Sequence, residues 1–125
     1  MPDPRQNLGK EGESLAAAYL RQKGWKIEAT NYRCRAGEVD IVARSNSHLV
    51  FVEVKTRKNT DIISPLRSVH RHKQQRIARA AIYYMKKQGL NSLRTPCRFD
   101  VITVNKTTGE VGHWPGAFRF SRGSR

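Results

Sequence analysis

Between residues 38 and 57 the chain reads EVDIVAR, then four turn-forming residues, Ser45 to His48, then LVFVEVKTR. Two β-rich runs this close, joined by such a stretch, define a hairpin. With the turn centred between Asn46 and Ser47, opposed residues have numbers summing to 93, so Asp40 faces Glu53 and Glu38 faces Lys55. Alternation then places Glu38, Asp40, Val42, Phe51, Glu53 and Lys55 on one face. Val39, Ile41, Val50, Val52 and Val54 share the other. Residues 49–54 are apolar on both faces apart from Glu53, which is the signature of a strand in the middle of a sheet. The rest of the chain must supply neighbours for this hairpin and cover both of its faces.

Two segments have the periodicity to do so. Leu8, Gly12, Leu15, Ala16 and Tyr19 recur at three- and four-residue spacing, predicting a helix from residue 6 to a stop at Gly24. Val69, Lys73, Ile77, Ala80, Ala81 and Tyr84 form the inward stripe of a second helix over residues 69–88, capped by Gly89. Strands are expected at residues 25–32, 97–105 and 110–114, with a basic turn at 33–37, a loop containing Pro65 at 58–68, and a basic tail at 119–125. The order α-β-β-β-α-β-β predicts an α/β fold with a mixed central sheet flanked by helices. At 125 residues, without repeat or linker, the chain suits one domain.

Opposed Cβ atoms lie about 5 Å apart, where two carboxylates repel by roughly 3 kcal/mol at an effective dielectric of about 20. A divalent cation held by Asp40 and Glu53 would offset this, and oxygen donors suit Mg²⁺ or Mn²⁺ better than zinc. Lys55 would then orient a water or stabilise charge on a phosphate oxygen. The competing reading is a solvated ladder in which Lys55 pairs with Glu38 or Asp40; the apolar surroundings of residues 49–54 suit it less well.

Charge narrows the class of partner. Lys plus Arg number 24 against 10 Asp plus Glu, a formal net charge of +14. Such an excess repels itself unless something anionic neutralises it. No apolar run approaches the roughly 20 residues of a spanning helix, and residues 1–10 are polar, so a cytoplasmic protein with a nucleic-acid partner is expected. Arg33, Arg35, Arg57, Lys58, Arg67, Arg71, Arg76 and Arg79 flank the acidic residues in sequence and suit phosphate contacts. Lys73 is open to a phosphate, an active-site carboxylate or a snorkelling surface position. Asp100, in an apolar strand, is expected to pair with Arg33, Arg35 or Arg98. Cys34 and Cys97 lack metal-site spacing and are expected as free thiols.

Asp40 followed by Glu53-Val54-Lys55 resembles the D…(D/E)-x-K signature of the restriction-endonuclease-like nucleases, and the element order is similar to their common core. Five blocks, Gly9–Glu13, Asn31–Asp40, Val50–Arg57, Arg98–Val101 and Ala117-Phe118, are similar to the YraN-like family of small bacterial proteins, which is grouped with resolvase-type folds. The resemblance implies a Mg²⁺- or Mn²⁺-dependent endonuclease acting on DNA, with branched DNA as one candidate substrate and a homodimer as one candidate assembly. It assigns Asp40 and Glu53 as metal ligands, Lys55 as the catalytic lysine and Glu13 as an extra acid brought from the first helix. By itself Glu13 is equally a carboxylate favoured by the helix dipole in an early turn. The alternative function is a nucleic-acid-binding protein that keeps the nuclease fold without turnover.

Overall fold

A computed structural model describes residues 4–58 and 71–119, with side-chain surroundings described from residue 10 onward. The elements are α1 (Pro4–Gln22), β1 (Lys26–Cys34), β2 (Gly37–Arg44), β3 (Leu49–Arg57), α2 (Arg71–Lys87), β4 (Cys97–Asn105) and β5 (Val111–Phe118). This is the expected α-β-β-β-α-β-β order. The five strands form one mixed sheet in the order β1-β2-β3-β4-β5. β3 and β4 are parallel and every other neighbouring pair is antiparallel. A parallel pair needs a crossover, and α2 lies in the connection between β3 and β4.

Each helix covers one face. Ala16, Ala17 and Leu20 of α1 pack on Ile41, Ala43, Val50, Val52, Ile102 and Val104. On the opposite face Ile77, Ala78, Ala80, Ala81, Tyr84 and Met85 of α2 pack on Val39, Val42, Leu49, Phe51, Phe99 and Val101. β3 is buried on both sides over Leu49–Glu53, as its apolar run requires. Two glycines permit close helix–sheet approach: a Cβ on Gly12 would lie 2.4 Å from Thr56 Oγ1, and one on Gly37 would lie 2.0 Å from the Arg76 carbonyl oxygen.

Several boundaries move. β1 runs on through Arg33 and Cys34, because β2 pairs with it as far as Cys34↔Gly37. β5 extends from Val111 to Phe118, past the expected end at Trp114, since Phe118 pairs with Phe99 beyond a bulge. Leu15 is exposed, and Ala17 and Leu20 take the inward stripe of α1. The expected loop at 58–68 and the beginning of the second helix at residues 69 and 70 fall largely outside the described residues, as does the tail after Arg119.

The most consequential departure lies in β2. The hairpin register is the expected one, with Ile41↔Val52, Val42↔Phe51, Ala43↔Val50 and Arg44↔Leu49 all summing to 93. Val39, however, packs with Val42 on the α2 face, not with Ile41 on the α1 face. Residues three apart share a face only where alternation is interrupted. The interruption coincides with Asn31 on the neighbouring strand, which takes φ = 51° between the pairs Thr30↔Ile41 and Tyr32↔Val39. A second-neighbour pattern in the sequence cannot register such a twist.

Candidate active site

The β2–β3 ladder ends at Ile41↔Val52, and beyond it the strands form a fork. Asp40 therefore does not sit in a ladder pair with Glu53. Its carboxylate enters the fork, where Oδ2 accepts the Val54 backbone N–H at 2.8 Å. An amide that would otherwise need a ladder partner is satisfied by a side chain, and this fixes the carboxylate. Glu53 is only 3% exposed and hydrogen-bonds to Asp40. A hydrogen bond between two carboxyl groups requires a proton on one of them. Burial together with the nearby Glu53 charge pushes Asp40 from 3.8 up to about 8, so near neutrality the pair holds that proton.

Three further side chains reach the fork. Lys55 follows Glu53 on the same face of β3 and places Nζ 3.6 Å from Glu53 Oε1. Lys73, from α2, places its Nζ 2.5 Å from the same oxygen. Burial and the neighbouring Lys73 lower Lys55, whereas for Lys73 the downward pull of burial is outweighed by Glu53 and the net shift is upward. Glu13 approaches from α1, one turn before Ala16 and Ala17 dock on the sheet. It hydrogen-bonds to Asn31 and feels both Glu53 and Asp40; burial, with Glu53 contributing, raises it above the ordinary carboxylate range. The fork thus lets an acid from the α1 side approach carboxylates otherwise oriented toward α2.

The expected Glu38–Lys55 pairing is not formed. Glu38 instead meets Arg33 across the β1–β2 ladder at 3.5 Å, because the fork has carried β2 away from β3 at that level. The solvated-ladder reading fails with it, since Lys55 pairs with a buried Glu53.

No motif or periodicity in the sequence points to Asn31, yet it hydrogen-bonds to Glu13 and stands where the alternation breaks. The available signal was an Asn in an otherwise strand-like run, since Asn tolerates positive φ better than other side chains.

Among the described residues no three His, Cys, Asp or Glu side chains converge closely enough to hold an ion by themselves. Two carboxylates are enough for Mg²⁺, which commonly keeps several waters and takes substrate phosphate oxygens as further ligands. Three carboxylates, Glu13, Asp40 and Glu53, stand against two ammonium groups, Lys55 and Lys73, and the carboxylate pair retains a proton. That proton makes up the charge the two ammonium groups leave unmatched, and a divalent cation on these hard oxygen donors would take its place.

The basic residues fall into two groups around the fork. Close approach of Gly37 to the Arg76 backbone brings the β1–β2 turn, which carries Arg35, against α2, and Arg33, Arg35, Arg71, Arg76 and Arg79 are all exposed. Arg57 and Lys58 lie at the end of β3, and Arg57 Nε is buried with no hydrogen-bond partner among the described residues. Arg67 lies outside the described residues.

Asp100 belongs elsewhere. It is fully buried and accepts Arg98 Nε at 2.8 Å, Arg98 Nη2 at 2.9 Å, His113 Nε2 at 2.7 Å and the Gly116 N–H at 2.9 Å. Although burial pushes its carboxyl upward, the His113 and Arg98 hydrogen bonds outweigh that and hold it below its usual range. Of the three arginines expected, only Arg98 is its partner, and His113 joins it from β5. Cys34 and Cys97 are both free.

The fold and the site define a class: a three-layer α/β protein whose central hairpin forks around a buried carboxylate pair flanked by lysines. Residues 12–104 match the profile of the Uncharacterised protein family UPF0102, and the chain belongs to that family. It is similar to the UPF0102 protein of Hahella chejuensis, 42% identical over 113 residues covering 90% of each chain. The UPF0102 protein of Syntrophotalea carbinolica is 47% identical over 116 residues, covering 91% of this chain and 93% of its own. That of Lachnoclostridium phytofermentans is 50% identical over 98 residues, covering 78% and 82%. Among the described residues no helix is long and apolar enough to cross a membrane.

Proposed function

We propose that this protein is a Mg²⁺- or Mn²⁺-dependent phosphodiesterase that cuts DNA, with the restriction-endonuclease-like site its D…E-x-K signature implies. The observation that carries this reading is the Asp40–Glu53 pair, buried together in the β2–β3 fork with Lys55 on the Glu53 carboxylate. Two acids forced together at a cost, beside a lysine and a basic rim, have no evident structural purpose in a sheet whose other buried acid, Asp100, is fully paired with Arg98, His113 and the Gly116 N–H.

Each residue then has a role set by its position. Asp40 and Glu53 would hold the ion, which supplies Lewis-acid activation of the phosphate and of a water. The ammonium of Lys55, tethered by Glu53, is placed to stabilise charge developing on a phosphate oxygen. Glu13, oriented by Asn31, is available to accept a proton from a water on the α1 side of the fork. Arg33, Arg35, Arg71 and Arg76 would neutralise phosphates flanking the scissile bond, which positions the strand without reading its sequence.

The test is cleavage of duplex, single-stranded, flapped and four-way-junction DNA, with matched RNA, in Mg²⁺, in Mn²⁺ and in EDTA. Metal-dependent cleavage of at least one DNA substrate, abolished in Glu53→Gln, is expected. Absence of cleavage on every substrate, with retained DNA binding, would leave a non-catalytic binding protein of the same fold.

A further inference from the structure

α2 (Arg71–Lys87) carries six basic residues and no Asp or Glu. Arg71, Arg76 and Arg79 are exposed, and Arg76 and Arg79, three residues apart, are neighbours on the helix surface. Lys73, one turn before Arg76 and Ile77, points inward and holds Glu53 Oε1 at 2.5 Å. Its charge is matched from another element, by a carboxylate that is almost wholly buried while the lysine side chain remains 39% exposed. Lys55 addresses the same oxygen from 3.6 Å. Glu53 therefore has two ammonium partners, one on its own strand and one that can swing outward on a flexible stem.

We infer that Lys73 is an exchangeable counter-cation: it holds Glu53 in the metal-free protein, and it is released to a phosphate of the nucleic acid when a divalent ion takes that oxygen. The inference rests on the proposed metal site and adds a coupling to it. One carboxylate oxygen cannot serve a lysine at contact distance and a metal ion equally well, because the two cations repel each other. Lys55 remains to orient Glu53 after the exchange. Lys73, once freed, can swing out toward Arg76, its neighbour three residues on along α2. Metal loading would thus add a phosphate contact, so metal and DNA strengthen each other's binding, as linkage between two sites requires.

Removing the competitor separates this from a purely structural ion pair. Mn²⁺ is titrated calorimetrically into wild type, Lys73→Met and Lys73→Arg at fixed pH and ionic strength. Affinity for a labelled DNA duplex is then measured in EDTA and in Ca²⁺, used as a divalent ion chosen to suppress cleavage. Lys73→Met is expected to bind Mn²⁺ about three- to tenfold more tightly than wild type. It should lose about fivefold in DNA affinity in Ca²⁺ and much less in EDTA, with Lys73→Arg restoring both values toward wild type. Equal or weaker Mn²⁺ binding by a folded Lys73→Met, or the same DNA loss with and without Ca²⁺, would overturn the exchange while leaving the metal site standing. Wild type that binds no Mn²⁺ would overturn both.

Discussion

Asp40→Asn should make the metal-free protein more stable, by an amount that depends on pH in a defined direction. Asp40 has an ordinary value of 3.8 and is pushed up to about 8 in the fold by burial and Glu53. Between those values the folded state holds a proton that the unfolded chain releases, so stability falls as pH rises, by at most about 1.4 kcal/mol per unit. The contribution is present in full below about pH 3.8 and is lost as pH climbs toward 8. From pH 5 to pH 7 the loss is bounded at about 3 kcal/mol, and relaxation around a coupled pair brings the expected value nearer 1 to 2 kcal/mol. Asn titrates nowhere in this range and can still accept the Val54 N–H through its amide oxygen. Urea unfolding in EDTA at pH 5, 6, 7 and 8 measures the difference between variant and wild type, which should grow by that amount between pH 5 and 7. Groups away from the fork cancel in the subtraction, whereas Glu53, coupled to Asp40, is part of what the difference reads. Mn²⁺ should then stabilise wild type by about 2.7 kcal/mol at one hundred times its dissociation constant and do almost nothing for the variant. A pH-independent difference, or an Asp40→Asn protein less stable than wild type at pH 8, would show that the carboxylates are not held in repulsive contact.

Lys55→Met should keep Mn²⁺ affinity and nearly all DNA affinity while slowing cleavage about a hundredfold, the usual cost of losing a charge partner in the transition state; an unchanged single-turnover rate would make Lys55 structural. Asn31 has a backbone part and a side-chain part, and two substitutions divide them. Asn31→Gly accepts the positive φ and should unfold within about 1 kcal/mol of wild type, whereas Asn31→Ala strains the backbone and should lose about 1 kcal/mol more. Both remove the amide that orients Glu13 and should slow cleavage, and full activity in Asn31→Gly would dismiss Glu13 from the site. Asp100→Ala leaves Arg98 and His113 without their buried acceptor and should cost about 3 to 5 kcal/mol in chemical denaturation; a loss below 1 kcal/mol would mean the cluster is solvated in solution. Because the Asp100 carboxyl is held below its usual range, its contribution is present above that range and disappears as pH falls through the folded value. For duplex DNA, log affinity against log salt should fall with a slope near −4 to −5 if about five phosphates are neutralised, and a flat dependence would remove the electrostatic footing of the basic rim.

The residues between 38 and 57 determined a great deal by themselves. Alternating β-branched side chains around a short polar turn fixed the hairpin and its register, because a one-residue slip would move every apolar side chain to the wrong face. A strand apolar on both sides had to be central, so helices had to cover both faces, and two segments of helical period were there to do it. Asp40, Glu53 and Lys55 were legible as a group because that register brings their ends of the two strands together, although the ladder stops one pair short of Asp40 and Glu53. What pattern could not reach was any contact that depends on where a strand stops obeying the pattern. The positive φ of Asn31 accompanies a reversal of the facing of Val39, and the β2–β3 ladder opens into a fork that admits the Asp40 carboxylate to the Val54 amide. Lys73 and Glu13 reach the fork, and His113 joins Arg98 on Asp100, from elements 13 to 40 residues away in sequence. Periodicity assigns a side chain to a face of its own element; only packing of the elements against one another decides which charge waits on the other side.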